Sequence, residues 1–411
     1  MKWPLVQLSD VVDVQLGKML SAASRTNISP AKYLRNANVQ WGRIDTSDLL
    51  EMDFDDDDRD RFSLRKGDLL MCEGGEPGRC AVLDRELPGV FFQKALMRLR
   101  ASTEAITMSF LQRYLQYFAD HGGFSDGGNQ ATIAHFPAIR VRSMYVPMPS
   151  LSEQHRIADI LDKTDTIRRK RKEAIGLADD LLRSTFLDMF GALVRRVADE
   201  PLPKGWQRKT VDELKAPGEY TCVGGPFGSN LTSKDYTASG IPVIRGGNLG
   251  AKSNSFIDDG FAYISKEKAA SLVQNMAYPG DLVFTQRGTL GQVVLVPKSA
   301  RHPRYVVSQS QMKLTPNTAM INPLYLHQYF CTEWMQRHIA AHALTTGVPH
   351  INLGILRAMP VVVPPKHLQD EFARIAARAI ALRERLDSSL TGADSLLGSL
   401  THRLFASSMG S

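Results

Sequence analysis

The chain of 411 residues repeats itself, and no other feature restricts its fold as much. Lys66-Gly67-Asp68-Leu69-Leu70-Met71 returns as Pro279-Gly280-Asp281-Leu282-Val283-Phe284, with Gly75 and Gly78 falling on Gly288 and Gly291, 213 positions on. Met97-Arg98-Leu99 falls on Met312-Lys313-Leu314, Tyr114 on Tyr329, Gln154 on Gln369 and Phe190 on Phe405, all at 215. Upstream, Arg35 and Asn38 fall on Arg245 and Asn248 at 210. The offset drifts one way, as insertions in loops produce. Such a collinear series means two copies of one unit, each about 200 residues long.

Each copy has the same internal order. Leu69–Cys72 and Cys80–Leu83 bracket Glu73-Gly74-Gly75-Glu76-Pro77-Gly78, which reads as strand, turn, strand. Leu282–Thr285 and Val293–Val296 bracket Gln286-Arg287-Gly288-Thr289-Leu290-Gly291 in the same way. A short helix is expected after each, near 108–119 and 323–340. Prolines 147 and 149, or 360, 364 and 365, close the region.

A long helix is expected to end each copy. Ser150-Leu151-Ser152-Glu153 fits a capping box, and Pro365 suits a helix start. The apolar stripe of the second helix reads Ile375, Ala379, Leu382, Leu386, Leu390, Ala393, Leu397, Leu400, Leu404. Steps of three and four over about four heptads are a coiled-coil signal. The first helix keeps a weaker version: Ile160, Thr164, Ile167, Arg171, Ile175, Ala178, Leu182, Thr185, Met189. Matching frames favour packing of the two helices on each other over packing of each on its own module. At 1.5 Å per residue, a helix of about 38 residues spans roughly 57 Å, enough for a spacer between two globular modules.

Composition narrows the class. Hydrophobic residues at 43% can bury real cores, and no run of about 18 apolar residues suggests a membrane span. The start lacks a signal-peptide core. Cys72, Cys80, Cys222 and Cys331 form no C-x-x-C pair, so reduced thiols in a cytoplasmic protein are expected. The net charge of +7 is uneven: residues 201–365 hold 16 Lys and Arg against 9 Asp and Glu, while residues 1–150 hold 18 against 19. A basic segment is compatible with nucleic acid without requiring it.

Catalytic signatures appear only as near misses. Asn322-Pro323-Leu324-Tyr325 departs from the N-P-P-[FY] of adenine methyltransferases at Leu324. His338-Ile339-Ala340-Ala341-His342 has zincin spacing, but Ile339 stands where a Glu is needed. Asp53-Phe54-Asp55-Asp56-Asp57-Asp58 lacks the Gly and terminal Glu of a calcium loop and reads as a solvated acidic loop. There is no phosphate loop. No metal site and no catalytic residue is expected.

What remains suits recognition. Arg35-Asn36-Ala37-Asn38 and Arg245-Gly246-Gly247-Asn248 set Arg and Asn beside small residues. Such side chains can contact base edges, yet Asn38 and Asn248 equally suit turn holders. Two modules reading different sequences should share a framework and differ in contacts, so readers are sought where the copies diverge. These loops are 18–32 and 229–239, and 123–132 against 345–352. The candidate DNA contacts are Lys18, Arg25, Lys32, Arg35 and Asn36, then Asn129, Gln130 and Thr132 in the first copy. In the second they are Ser229, Asn230, Lys234, Arg245, Arg287, His350 and Asn352. Arg168-Arg169-Lys170-Arg171-Lys172 is either a DNA-facing cluster or a solvated helix face. Helix–helix packing is expected from Ile160, Ile167, Ile175 and Leu182 against Ile375, Leu382, Leu386, Leu397 and Leu404.

The pattern resembles the specificity subunits of type I restriction–modification systems. The resemblance is carried by Tyr33–Val39, Leu64–Leu70, Glu73–Arg79 and Pro147–Gln154, and in the second copy by Gly240–Asn248 and Pro279–Leu282. The second copy departs at Lys366-His367-Leu368-Gln369-Asp370, where the family usually has a Glu-Gln pair; Gln369 survives. The resemblance implies an α+β protein with two tandem-repeated target-recognition domains, 1–150 and 200–365. Two long antiparallel coiled-coil helices, 151–199 and 366–411, separate them in a pseudo-twofold arrangement. It implies that each domain reads one half of a split, asymmetric site in double-stranded DNA. The helices would set the gap and bind two modification (methyltransferase) subunits. Those carry S-adenosylmethionine and methylate adenine at N6; restriction subunits use ATP and magnesium; this chain binds no cofactor of its own. A stand-alone DNA-modifying or DNA-cleaving enzyme and a coiled-coil scaffold without nucleic acid are the competing readings.

Overall fold

The computed structural model describes residues 3–125, 135–195, 200–250, 255–344 and 347–406. The chain divides into two compact units, Met1–Arg171 with Ser388–Ser411, and Lys172–Asp387. Each holds a Gly-rich mixed module together with part of each long helix. The boundaries expected at 150 and 365 thus separate elements rather than compact bodies. Among the described residues no helix is long and apolar enough to cross a membrane.

The first unit is built on a four-stranded antiparallel sheet in the order Val12–Leu16, Leu96–Ala101, Leu69–Cys72, Cys80–Val82. A three-stranded sheet sets Pro30–Leu34 between Leu50–Asp53 and Val90–Phe92, the last pair parallel. Leu5–Gln7 pairs with Tyr145–Pro147 and so joins the two ends of the module. Strands buried on both faces explain the continuous apolar run of Leu69–Cys72, where all four residues are buried.

The second unit repeats this plan. Its four-stranded sheet runs Cys222–Gly224, Gln311–Leu314, Leu282–Thr285, Val293–Leu295. Ile241–Ile244 lies parallel to Tyr305–Val307, as Pro30–Leu34 lies to Val90–Phe92. Gln207–Thr210 closes on Pro360–Val363. Ala262–Ile264 lies antiparallel to Ile241–Ile244 as Leu50–Asp53 does to Pro30–Leu34, and this unit adds Tyr236–Thr237 and Met276–Ala277 to its second sheet, making five strands. The repeated turn glycines have a steric cause. Gly78 and Gly291 take φ of +89° and +88°, and a Cβ there would strike Phe124 or Gln336.

The expected short helix of each copy is present. The first is Met108–Asp120. The second is broken into Pro323–Cys331 and Glu333–Ala341, because Thr332 caps the second piece by accepting from Met335 N. Asn322 is the N-cap of the first piece, accepting from Leu324 N at 3.0 Å, which accounts for the Asn-Pro pair there structurally.

The acidic stretch is exposed at Asp55, Asp56 and Asp57, as expected, but it enters a helix rather than a loop. Asp53 is buried and accepts from the backbone N–H of Thr26, Asn27 and Ser29 and from the Thr26 hydroxyl. Asp55 caps the helix Asp56–Arg61, and Asp58 pairs with Lys18. Negative charge at a helix start is favoured by the exposed N–H groups, and the reading as a loop missed that.

Two long helices complete the chain, Leu151–Val194 and Lys366–Ala406. Ser150 accepts from Glu153 N, but Glu153 turns to Arg156 rather than closing a capping box. Pro365 stands just before its helix, its carbonyl accepting from Leu368 and Gln369 N. Inside each unit the helix segments run antiparallel. In the first, Arg168 pairs with Asp394 and Arg171 donates to Ser389 O at 2.8 Å. In the second, Asp179 pairs with Arg383 at 2.9 Å, while Phe186 stacks edge-on against Phe372.

The seam differs from the expected stripe. Ile167, Ile375 and Leu382 are exposed, whereas Ile160, Ile175, Leu182, Leu386, Leu397 and Leu404 are half-buried. The covered face of the last helix runs Phe372, Ala376, Ala379, Arg383, Leu386, Leu390, Ala393, Leu397, Leu400, Leu404, an unbroken alternation of four and three. A hydrophobic reading passes over Arg383 to Leu382, and over Arg168 to Ile167. Both arginines belong to the seam because each has a carboxylate opposite. The cluster Arg168–Lys172 is therefore partly engaged: Arg168, Arg169 and Arg171 all have partners within the first unit.

Candidate nucleic-acid interface

The turns that begin at Arg35 and Arg245 are built alike. Asn38 Oδ1 accepts from Arg35 N, and its Nδ2 donates to the carbonyls of Asp45 and Asp48. Asn248 Oδ1 accepts from Arg245 N, and its Nδ2 donates to the carbonyls of Ile257 and Asp259. Both asparagines are buried, so they hold the turn instead of meeting a ligand. Asn36 also has a framework role: it donates to Gly74 O at 2.9 Å and ties its turn to the next one.

The two arginines differ. Arg35 is half-buried and pairs with Asp48 at 2.5 Å. Arg245 is exposed, with no carboxylate partner among the described residues, and its guanidinium lies 5.9 Å from the centre of the Tyr236 ring. It borders an open cleft of about 530 Å³ with Gly247, Asn248, Ile257, Asp259 and Gly260. Asp259, which stands where Asp48 stands in the first copy, is drawn 3.8 Å from Arg301. One module thus neutralises its turn arginine internally and the other presents it.

The same contrast extends to the other candidates. Lys18 donates to Asp53 O at 2.7 Å, pairs with Asp58 and lies over Phe54, which makes it an internal tie. Arg25 and Lys32 are exposed. Ser229 and Asn230 lie on the exposed 3-10 turn Gly228–Asn230, and Lys234 is exposed on the next. Arg287 is exposed and bridges through its backbone to His350, itself half-buried. Asn352 is the N-cap of Leu353–Ala358, accepting from Ile355 N, so its side chain has a local duty. Asn129, Gln130 and Thr132 lie outside the described residues.

Sequence reasoning missed three positions. His135 and His350 occupy equivalent bridges, to Gly74 and Arg287. His135 also lies 3.4 Å from the buried carboxylate of Glu73, where the second copy has the neutral Gln286. Their spacing of 215 was the available signal. Met19 and Phe227 are large apolar side chains exposed at 58% and 87%, and polarity-based reasoning passes over them.

Nothing in the described geometry assembles a reaction centre. Among the described residues no group of three or more His, Cys, Asp or Glu is placed to hold a metal ion. His338 stacks on Trp334 and meets the tilted ring of His342, and burial, with His342 beside it, lowers the His338 pKa. None of the four cysteines is in a disulfide, and burial pushes the thiols of Cys72, Cys80 and Cys222 up.

A duplicated mixed α/β module, packed on long helices and exposing polar turns that differ between copies, defines a two-module recognition protein. The chain belongs to the type I restriction–modification DNA specificity family, whose domain model matches residues 1–176 and again 209–386. It is 31% identical over 116 residues to a Haemophilus influenzae protein named as a type I restriction enzyme specificity subunit, covering 28% of each chain. It is 19% identical to the Escherichia coli type I restriction enzyme EcoBI specificity subunit over 68% of this chain and 60% of that one. The matches thus span less than two thirds of either relative. In fold it is similar to the S subunit of a type I restriction–modification system from M. genitalium, with TM-score 0.64, 16% identity, and 98% and 96% of the two chains covered. A second type I system structure, concerned with complex assembly and conformational transition, gives TM-score 0.53 at 16% identity, with 98% and 97% covered.

Proposed function

We propose that this chain is the non-catalytic DNA-reading subunit of a type I restriction–modification complex. Residues 1–150 and 200–365 each read one half of a bipartite, asymmetric duplex site. The long helices set the gap and dock two modification subunits, which bind S-adenosylmethionine and methylate adenine at N6. Restriction subunits, using ATP and magnesium, join the same assembly, in the cytoplasm of a bacterium or archaeon.

The observation that carries this reading is the family match recurring over both copies while the exposed side chains differ between them. Shared framework residues such as Asn38 and Asn248 build the same turn. Arg35 and Arg245, at its start, are presented differently, which suits two modules with different targets. The physics of such an object suits duplex DNA. Half-sites one turn apart lie about 34 Å from each other, a distance that helices of this length span.

Co-expression with the cognate modification subunit, followed by mapping of methylated adenine across the host genome, tests the reading. A single split motif is the expected result. Exchanging residues 1–150 for another such module should change one half-site only, and removing equal heptads from both helices should change the gap only. A chain that forms no complex and directs no methylation is not a specificity subunit. Methylation or cleavage by the pure chain would favour the stand-alone enzyme, and absence of salt-dependent duplex binding would favour the scaffold.

A further inference from the structure

In each copy a loop that follows a close contact between a glycine and a strand presents an exposed large apolar side chain two residues beyond that glycine. In the second unit, Gly225 approaches the strand partner so closely that a Cβ would lie 2.0 Å from Ser308 O. Beyond it, Gln309 Nε2 donates to Leu231 O at 2.8 Å and also to Gly228 O, and Leu231 is buried. Phe227 O accepts from Asn230 N at 3.0 Å. Between these anchors the Phe227 ring stands 87% exposed.

The first unit repeats the device. A Cβ on Gly17 would lie 2.4 Å from Gln93 O, and Lys18 donates to Phe92 O while accepting from Lys94 N. Gln93 and Ser308 are equivalent, since their N–H groups donate to Leu34 O and Ile244 O on matching strands. Met19, two residues after Gly17, therefore occupies the position of Phe227, two residues after Gly225. It is 58% exposed.

Single apolar residues on a surface need no explanation. Recurrence at one position, on a backbone braced alike, with side chains of different shape, does need one. The residues just after Phe227 are exposed and polar, namely Ser229, Asn230 and Lys234, so the ring is not part of a continuous apolar strip along this loop. An isolated apolar tip amid hydrogen-bonding and cationic groups matches a base-pair edge in a duplex groove, which offers a thymine methyl and polar atoms beside a phosphate.

We propose that Phe227 and Met19 are specificity-determining probes that make direct apolar contact with a base in their respective half-sites. This rests on the reading of the chain as a duplex-reading subunit.

The test uses the full chain in complex with its modification subunit, on a duplex bearing the mapped site and on duplexes with either half scrambled. Salt-dependent binding of the unaltered complex is the control, and its absence would overturn the underlying reading. Given that binding, Phe227→Ala should weaken affinity for the intact site roughly 5- to 150-fold, the cost of one misread base pair. Affinity for the duplex scrambled in that half, and the slope of affinity against salt, should not change, because no phosphate contact is lost. Phe227→Trp should restore part of the loss, and Met19→Ala should act on the other half-site. Unchanged affinity for the intact site, equal losses on intact and scrambled duplexes, or loss of the modification subunit from the Phe227→Ala complex would each overturn the proposal.

Discussion

Arg383 meets Asp179 at 2.9 Å across the helix seam of the second unit, and 215 positions earlier Arg168 meets Asp394 in the first. Each arginine stands where a heptad pattern calls for an apolar residue. The side chains are 21% to 46% exposed, and burial raises the Asp179 carboxyl above its ordinary value. Such a pair contributes little stability; its role is to define which residues face each other. Alanine substitutions of Asp179 and Arg383, singly and together, should give a coupling of about 0.5–1 kcal/mol in urea unfolding. Leucine at both positions should be at least as stable as the native pair. A coupling above about 3 kcal/mol would contradict this.

Gln154 and Gln369 carry matching clamps. Gln154 accepts from Thr107 N and donates to the carbonyls of Ala105 and Pro149. Gln369 accepts from Asn322 N and donates to the carbonyls of Met320 and Pro364. Both are fully buried. Leucine at either position strands one N–H and two carbonyls and should cost about 3 kcal/mol. Unfolding of each variant, followed by hydrogen exchange, should place the loss in its own unit.

Phe405 lies near the end of the chain yet belongs to the first unit. Its ring packs among Trp3, Phe110, Tyr114 and Tyr117, the last with centroids 5.1 Å apart. Phe190, its counterpart, packs with Trp206, Tyr325 and Phe372 in the second unit. Phe405→Ala should destabilise the first unit by about 3–5 kcal/mol. Amide exchange should rise in the helix 108–120 and stay unchanged in 323–331. The reverse pattern is expected for Phe190→Ala.

Arg245 and Arg35 should separate in DNA binding. Arg245→Ala removes a presented guanidinium and should weaken binding of the assembled complex by about 1–3 kcal/mol, with relaxed choice at one position if a base is lost, or a shallower salt slope if a phosphate is lost. Arg35→Ala breaks an internal pair with Asp48 and should leave affinity within twofold. Titration of both variants at two salt concentrations reads the difference.

Asp53 predicts a pH dependence in the turn it clamps. The Thr26 hydroxyl, with the backbone N–H groups of Ser29, Thr26 and Asn27, lowers its carboxyl pKa below the ordinary 3.8. The folded pKa lies below the unfolded one, so the stabilisation is fully present above 3.8 and fades as pH falls through the lower value. Exchange at the Thr26, Asn27 and Ser29 amides, corrected for intrinsic rate, should accelerate over that fall. Asp53→Asn should show the acceleration already at neutral pH.

Much of the fold was legible because repetition exposes framework residues. Gly78 with Gly291, Asn38 with Asn248 and Gln154 with Gln369 recur because each meets a local steric or hydrogen-bonding demand that both copies share. The candidate contacts were less legible. Lys18, Arg35, Asn36 and Asn352 have the right chemistry for DNA, but each has a partner inside its own unit. Met19 and Phe227 have the wrong polarity for a charge-based search and are among the most exposed apolar side chains of their loops.

The amino-acid sequence by itself determined the duplication, the strand–turn–strand cores, the two long helices and the family. These depend on residue types at fixed short spacings, which the chain displays directly. Only the tertiary structure decided the phase of the helix seam, the docking of Phe405 on the first unit, and which arginine of an equivalent pair is presented. Each of those depends on a partner more than ten positions away: Asp394 for Arg168, Trp3 for Phe405 and Asp48 for Arg35. A side chain's type says which bonds it can form, and folding decides whether an internal partner takes them first.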